Sequence, residues 1–274
     1  MIPVVVPFVV AEPLPVVQVT IAGKRANFAI DTGAPDIVVD QDLARQLRLH
    51  VRSAGMGIFA GGMHAPVRRT IVPSFAIGSA SVSNFSAAVM PGLAFPGIRV
   101  QGIVGTGFFS HFITTIDYAH HVLRLYPKSD SVAFERQAQA RHLDSEPMRV
   151  VANHYIFASG HVNDGPAGQY NIDTGGAGFG VQLTKASVDA AHVRLDTNRI
   201  QRGMGGGGPV SATPFTADVT LAHTTVRNVP GIYFAHGDQY KIFHFTVAGT
   251  ITDAYFRHSS VTFDFAAMRI VLGA

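Results

Sequence analysis

Cysteine is missing from the chain. That excludes disulfides, thiolate nucleophiles and cysteine-based zinc sites, and leaves the redox compartment open. Charge is sparse, at 14% of residues, with 21 Lys and Arg against 18 Asp and Glu for a formal +3. There is no dense basic run and no ladder of aromatics among positive charges, so a nucleic-acid partner is not expected. Thirteen histidines are present, but no His-Glu-x-x-His or comparable ligand spacing occurs. His120 and His121 are neighbours, which in a strand point to opposite faces. No metal and no other cofactor is expected. Long apolar runs are also lacking. Met1 to Val10 is apolar but carries Pro3 and Pro7, has no basic lead-in and runs into Glu12 and Pro13. It reads as an extended strand opening the fold, and neither as a signal peptide nor as a membrane span.

What remains is a chain of 274 residues, 47% hydrophobic, with enough apolar material for one large domain or two modest ones. Val16 to Ile21 is mostly β-branched, Ala22-Gly23-Lys24 is a turn, and Ala26 to Ile30 reads as the returning strand of a hairpin. Ile37-Val38-Val39 is a short strand, followed by a helix that Asp40 or Asp42 can cap. A glycine-rich stretch from Gly55 to Met63 reads as a hairpin tip, and strands follow at Thr70–Val72, Phe75–Ile77 and Val82–Met90. From Pro127 to Pro147 the chain turns charged and loses large apolar residues, as in a partly helical linker. The strand pattern then restarts, with a helix expected from Lys185 to Val193 behind Thr184 as cap.

Two stretches say nearly the same thing: Phe28-Ala29-Ile30-Asp31-Thr32-Gly33-Ala34 and Tyr170-Asn171-Ile172-Asp173-Thr174-Gly175-Gly176. One Asp-Thr-Gly is commonly just a tight turn. Here two copies, 142 residues apart, each follow an isoleucine at a strand end. A glycine cluster, containing Gly61 and Gly62 in one case and Gly203 to Gly208 in the other, begins about equally far beyond each Asp. The closing segments also repeat: Gly102, Phe109, Asp117 and Leu125 match Gly249, Phe256, Asp264 and Leu272 at a constant 147. The order and spacing point to an internal duplication. Asp117 and Asp264, each before an aromatic at a strand end, read as solvated turn carboxylates, and Arg124 and Arg269 as surface residues.

These residues resemble the aspartic protease superfamily. The doubled Asp-Thr-Gly, a flap-like glycine hairpin after each copy and Ile103-Val104-Gly105 late in the first half carry the likeness. Each half is closer in size to a retropepsin-like protomer than to a pepsin lobe, so the chain resembles a single-chain fusion of two such units, as in bacterial members. The resemblance implies an all-β fold of two barrel-like lobes about a pseudo-two-fold axis, with few short helices. The expected boundaries are a lobe at 1–126, a linker at 127–147 and a lobe at 148–274.

The same resemblance implies an aspartic endopeptidase. Asp31 and Asp173 would share one proton and activate water against a peptide carbonyl. Thr32 and Thr174 would exchange hydrogen bonds across the axis, and Gly33 and Gly175 would let the loops approach. Substrate peptide would be held by flap residues Phe59, Gly61, Gly62, Met63, Met204, Gly205 and Gly206 in a monomer whose lobes pair within the chain, with an envelope or secreted location. Two departures stand out. Ala34 and Gly176 replace the usual hydroxyl residue, and Thr250-Ile251-Thr252 stands where the first half has Ile103-Val104-Gly105. They leave open an inactive, peptide-binding relative with the same fold.

Overall fold

The computed structural model describes residues 1–273 apart from 60–61, 96, 206–207 and 236–238, and does not describe the side chains of 94, 95, 204 and 239. The first hairpin forms as its sequence dictates. Val16–Ile21 alternates buried and exposed positions and pairs with Lys24–Ile30. The two residues between them, Ala22 and Gly23, both have positive φ (46° and 79°), which matches the twist of the flanking strands. Asp40 caps the helix Gln41–Gln46 by accepting from the Asp42 amide. Thr184 caps Lys185–Ala190 in the same way. That second helix stops three residues before the expected Val193, because His192 takes a positive φ of 50° that a continuing helix does not allow.

Each half builds one sheet with the same strand order. In the first the order is Val16–Ile21, Lys24–Ile30, Gly102–Val104, Ile37–Asp40, Ala80–Met90, Met63–Ile77, Arg52–Phe59. In the second it is Tyr155–Val162, Gly168–Ile172, Val247–Ile251, Val181–Leu183, Thr224–Tyr233, Gly208–Leu221, Gln201–Gly205, with Arg149–Val151 added beside the first strand. The first and sixth strands of this order also pair in both halves, which curls each sheet back on itself. Buried Phe28, Phe75 and Phe108 pack in sequence, tilted and then edge to face, at 5.4 and 5.3 Å between ring centres. The apolar core continues from there into the second half through Tyr118, Phe256 and Phe263.

A third, six-stranded sheet joins the halves: Val4–Pro7, Val122–Pro127, Phe112–Asp117, Ser260–Asp264, Arg269–Gly273 and Asp144–Pro147. At its centre Thr115 lies opposite Thr262, and their hydroxyls are 2.7 Å apart. These two residues are equivalents at the repeat offset of 147. Equivalent residues that bond to one another sit on the axis relating the halves.

The stretch expected as a linker is well structured. It holds a short turn of helix at Lys128–Asp130, the helix Ser131–Ala140 and the edge strand Asp144–Pro147. The expectation of solvated carboxylates at Asp117 and Asp264 is corrected, since both are buried, at 7% and 2% exposure. Asp117 is satisfied by His120 and Arg124. Asp264 accepts from Ser131 and from the amides of Ala266 and Ala267. Such partners are what a carboxylate needs to leave water. Arg124 is correspondingly drawn in to Asp117, and Arg269 to Ser145.

Gly102 illustrates how tightly the strand beside Asp31 is packed. A Cβ there would lie 2.1 Å from the Phe28 ring and 2.5 Å from the Val38 carbonyl. Replacing Gly102 by Ala is expected to cost about 1–3 kcal/mol by overpacking, read as a lower midpoint in urea denaturation.

Candidate active site

Both Asp-Thr-Gly loops are held from behind in the same manner. Lys24–Ile30 runs parallel to Gly102–Val104, and the Asp31 amide donates to the Val104 carbonyl at 3.0 Å. Gly168–Ile172 runs parallel to Val247–Ile251, and the Asp173 amide donates to Ile251 at 3.0 Å. Each Asp therefore leaves its strand at a fixed height and direction.

The loops then lock to each other. The Thr32 amide donates to Thr174 Oγ1 and the Thr174 amide to Thr32 Oγ1, each at 3.0 Å. The Thr32 hydroxyl in turn donates a hydrogen bond to the Ile172 carbonyl at 3.0 Å. Both threonines are buried, at 1% and 0% exposure, so no water competes for these groups. From the first half Thr106 adds a short 2.6 Å bond to the Thr32 carbonyl, a support that no motif in the sequence advertises.

The glycines explain how close the loops come. A Cβ on Gly33 would sit 2.3 Å from Cγ of Asp173, and one on Gly175 would sit 2.3 Å from Cγ of Asp31. Only glycine fits where another residue's carboxylate occupies that volume. Asp31 and Asp173 are thus packed crosswise against each other's loops. Asp31 Oδ1 accepts from the Gly33 and Ala34 amides at 2.8 and 3.2 Å, and Asp173 Oδ1 accepts from Gly175 at 2.9 Å. Burial pushes the Asp31 carboxyl well above its usual value, with the charge of Asp173 and a hydrogen bond between the two acids adding to the rise. The Gly33 and Ala34 amides pull the other way and lose.

The two sequence departures turn out to be one. A Cβ on Gly176 would collide with the Thr252 side chain, 2.2 Å from Oγ1. Thr252 Oγ1 instead accepts from the Gly176 amide at 2.8 Å. In the first half the sizes are reversed: Ala34 carries the side chain and Gly105 is bare, with a Cβ on Gly105 only 2.4 Å from the Ala34 carbonyl. Bulk has moved from the acid loop to its supporting loop, and the supporting hydroxyl serves the acid loop's amide.

Two hairpins rise from the sheets. Arg52–Phe59 pairs with Met63–Ile77, Phe59 facing Met63. Gln201–Gly205 pairs with Gly208–Leu221, Gly205 facing Gly208. They meet at their ends, where Met63 Cε would lie 3.7 Å from a Cβ on Gly208. Met56, Ile58 and Met63 are exposed along the first hairpin, at 63%, 38% and 37%. Of the flap residues expected from sequence, Phe59, Gly62, Met63 and Gly205 fall on these hairpins, as does the backbone of Met204. Gly61 and Gly206 lie outside the described residues. Among the described residues no group of three His, Asp or Glu side chains could hold a metal ion. No helix there is long and apolar enough to cross a membrane.

Two outcomes follow from this geometry. Gly176→Ala should destabilise the protein, and Thr252→Ala should relieve much of that cost, so a double-mutant cycle in chemical denaturation should show favourable coupling of about 0.5–3 kcal/mol. Asp31→Asn should raise stability at pH 7. A carboxyl whose folded pKa is raised contributes stability below its unfolded pKa, and loses it as pH climbs through the folded value. The gain of the variant should therefore shrink as pH falls from the raised folded value toward the usual carboxylate range and be absent below that range, a trend that melts at several pH values would reveal.

Residues 17–108 match the family model described as aspartyl protease. No curated protein matches the sequence. The aspartic proteinase from Irpex lacteus superposes with a TM-score of 0.57 at 11% identity, covering 100% of this chain and 97% of that one. A retropepsin-like aspartic protease from Rickettsia conorii aligns with a TM-score of 0.36 at 19% identity, over 45% of this chain and 90% of that one. The stretch that carries Asp31 thus matches the aspartyl protease family, and the chain as a whole has the two-lobed, all-β fold of an aspartic proteinase.

Proposed function

We propose that the protein is an aspartic endopeptidase, with Asp31 and Asp173 as its catalytic pair. The observation that carries this reading is the crosswise packing of the two carboxylates on each other's glycine, above a reciprocal threonine lock. Two acids so placed cannot both ionise cheaply, so one proton serves the pair. The ionised acid takes a proton from water, whose oxygen attacks the peptide carbonyl carbon. The protonated acid gives its proton to the carbonyl oxygen, forming a tetrahedral diol. Collapse of the diol returns a proton through the pair to the leaving amine. No covalent intermediate arises.

In this reading the lobes comprise residues 1–126 and 148–274, joined by 127–147, and the pair lies between them within one monomer. An extended peptide lies between the acids and the two hairpins that meet at Met63 and Gly208. It is held by main-chain hydrogen bonds, as extended peptides are on strand edges. The exposed Met56, Ile58 and Met63 favour apolar side chains on the substrate.

Cleavage of a peptide library should follow a bell-shaped pH profile on the acid side, because the active pair holds one proton rather than none or two. Asp31→Asn and Asp173→Asn should each lower kcat/KM by about 10²-fold or more while circular dichroism stays unchanged. A statine-type transition-state mimic should inhibit. Peptide binding without cleavage by the wild-type protein would identify a peptide-binding relative instead.

A further inference from the structure

Tyr118 reaches from the first half into the second. It follows the strand Phe112–Asp117, its amide donates to the Ser259 carbonyl at 3.1 Å, and its ring lies nearly parallel to Phe256 at 6.2 Å between centres. Its phenol lies against the side chain of Thr174, beneath the acid loops. At the repeat offset of 147 its counterpart is Phe265, which packs on Phe263 without a hydroxyl. Packing alone therefore does not call for a phenol here. Burying one without a full hydrogen bond costs free energy, and Tyr118 is 5% exposed.

The two sides of the threonine lock differ as well. The Thr32 hydroxyl accepts from the Thr174 amide and donates to the Ile172 carbonyl. The Thr174 hydroxyl accepts from the Thr32 amide, but among the described residues it makes no matching bond to the Ile30 carbonyl. A threonine hydroxyl has one proton to offer, and that of Thr174 still needs an acceptor. The support from behind is also unequal. Thr106 opens the helix Thr106–Phe109 and its hydroxyl holds the Thr32 carbonyl. At the same offset a carboxyl stands in its place: Asp253, at the start of Asp253–Phe256. The Asp253 side chain is 4% exposed. Its Oδ1 and the Tyr118 hydroxyl are both buried without a full hydrogen bond among the described residues.

We propose that Tyr118 is a positioning residue for the catalytic pair, its phenol bridging the Thr174 hydroxyl and Asp253 Oδ1 so that the first half holds the second acid loop. The inference rests on the reading of Asp31 and Asp173 as that pair. The Thr174 O–H donates to the phenol oxygen, and the phenol O–H donates to Asp253. Thr174 directly follows Asp173, so fixing its hydroxyl fixes the acid beside it. The surroundings of the phenol fit this order. Burial, and then the charge of Asp253, push it well up, with Asp173 and Asp31 adding to the rise; the Thr174 side chain opposes it, as a donor to the phenol oxygen does. Burial also raises the Asp253 carboxyl to about 7, with Glu12 adding and Arg257 opposing. A protonated carboxyl still accepts at its carbonyl oxygen, so the bridge persists on the acid side.

Tyr118→Phe removes one oxygen and keeps the ring, the arrangement Phe265 already has in the other half. With a peptide substrate, kcat is expected to fall about tenfold while KM stays within about twofold, because a displaced acid costs rate and not ground-state binding. A hydroxyl with a merely structural role would shift the urea midpoint and leave kcat alone. Amide hydrogen exchange reads the same bridge without hydrolysis. Exchange at Thr32, whose amide rests on the Thr174 hydroxyl, should quicken about tenfold, while the amides of Val16–Ile21 keep their wild-type rates. An unchanged kcat in the folded variant, an unchanged rate at Thr32, or equal quickening at Thr32 and throughout Val16–Ile21 would overturn the proposal. If the wild-type protein cleaves no peptide, the catalytic reading falls by itself, and exchange at Thr32 still decides for or against the bridge.

Discussion

Everything at the centre of this molecule depends on two threonine hydroxyls, each accepting the other loop's amide. A backbone N–H buried without a partner is expensive, and Thr32 and Thr174 solve that problem only by facing each other. The consequence is positional. Once the hydroxyls are exchanged, each glycine of the triplets is pressed against the opposite carboxylate, and the acids have nowhere else to be. The raised Asp31 carboxyl is the electrostatic cost of that placement, tolerated because the grip and the parallel strands behind it over-determine the geometry.

The same logic organises the larger scale. Thr115 and Thr262 meet on the axis in the shared sheet, so the halves are registered at two levels, one beneath the other in the chain's own repeat. Between these levels lies a continuous apolar core in which Phe108 and Phe109 of one half correspond to Tyr255 and Phe256 of the other. An error in either register would turn a buried face outward, because neighbouring strand residues point to opposite sides.

Much of this was legible in the amino-acid order. The β-branched run before Ala22-Gly23 showed the hairpin, Asp40 and Thr184 showed helix starts, and the constant offset showed the duplication. What was not legible depended on contacts between distant segments. Asp117 and Asp264 looked like solvated turn residues because Arg124, across the hairpin, and Ser131, from the preceding helix, become their partners only in the folded sheet. That residues 127–147 carry an edge strand as well as a helix was not legible, because a strand added to an edge needs few large apolar side chains. Gly176 and Thr252 were each visible as departures, but that they complement one another requires knowing which loop lies beneath which.

The exchange of bulk between Gly176 and Thr252 has a consequence for how such a molecule can change over generations. Where two identical subunits meet about a true axis, every substitution strikes both acids at once, and a change that suits one side must also suit the other. Here the two loops are spelled separately in one polypeptide, and they have already parted company: one carries its methyl on the acid loop, the other on the support. Each acid can be adjusted without touching its twin, so the division of labour between them is open to selection one residue at a time.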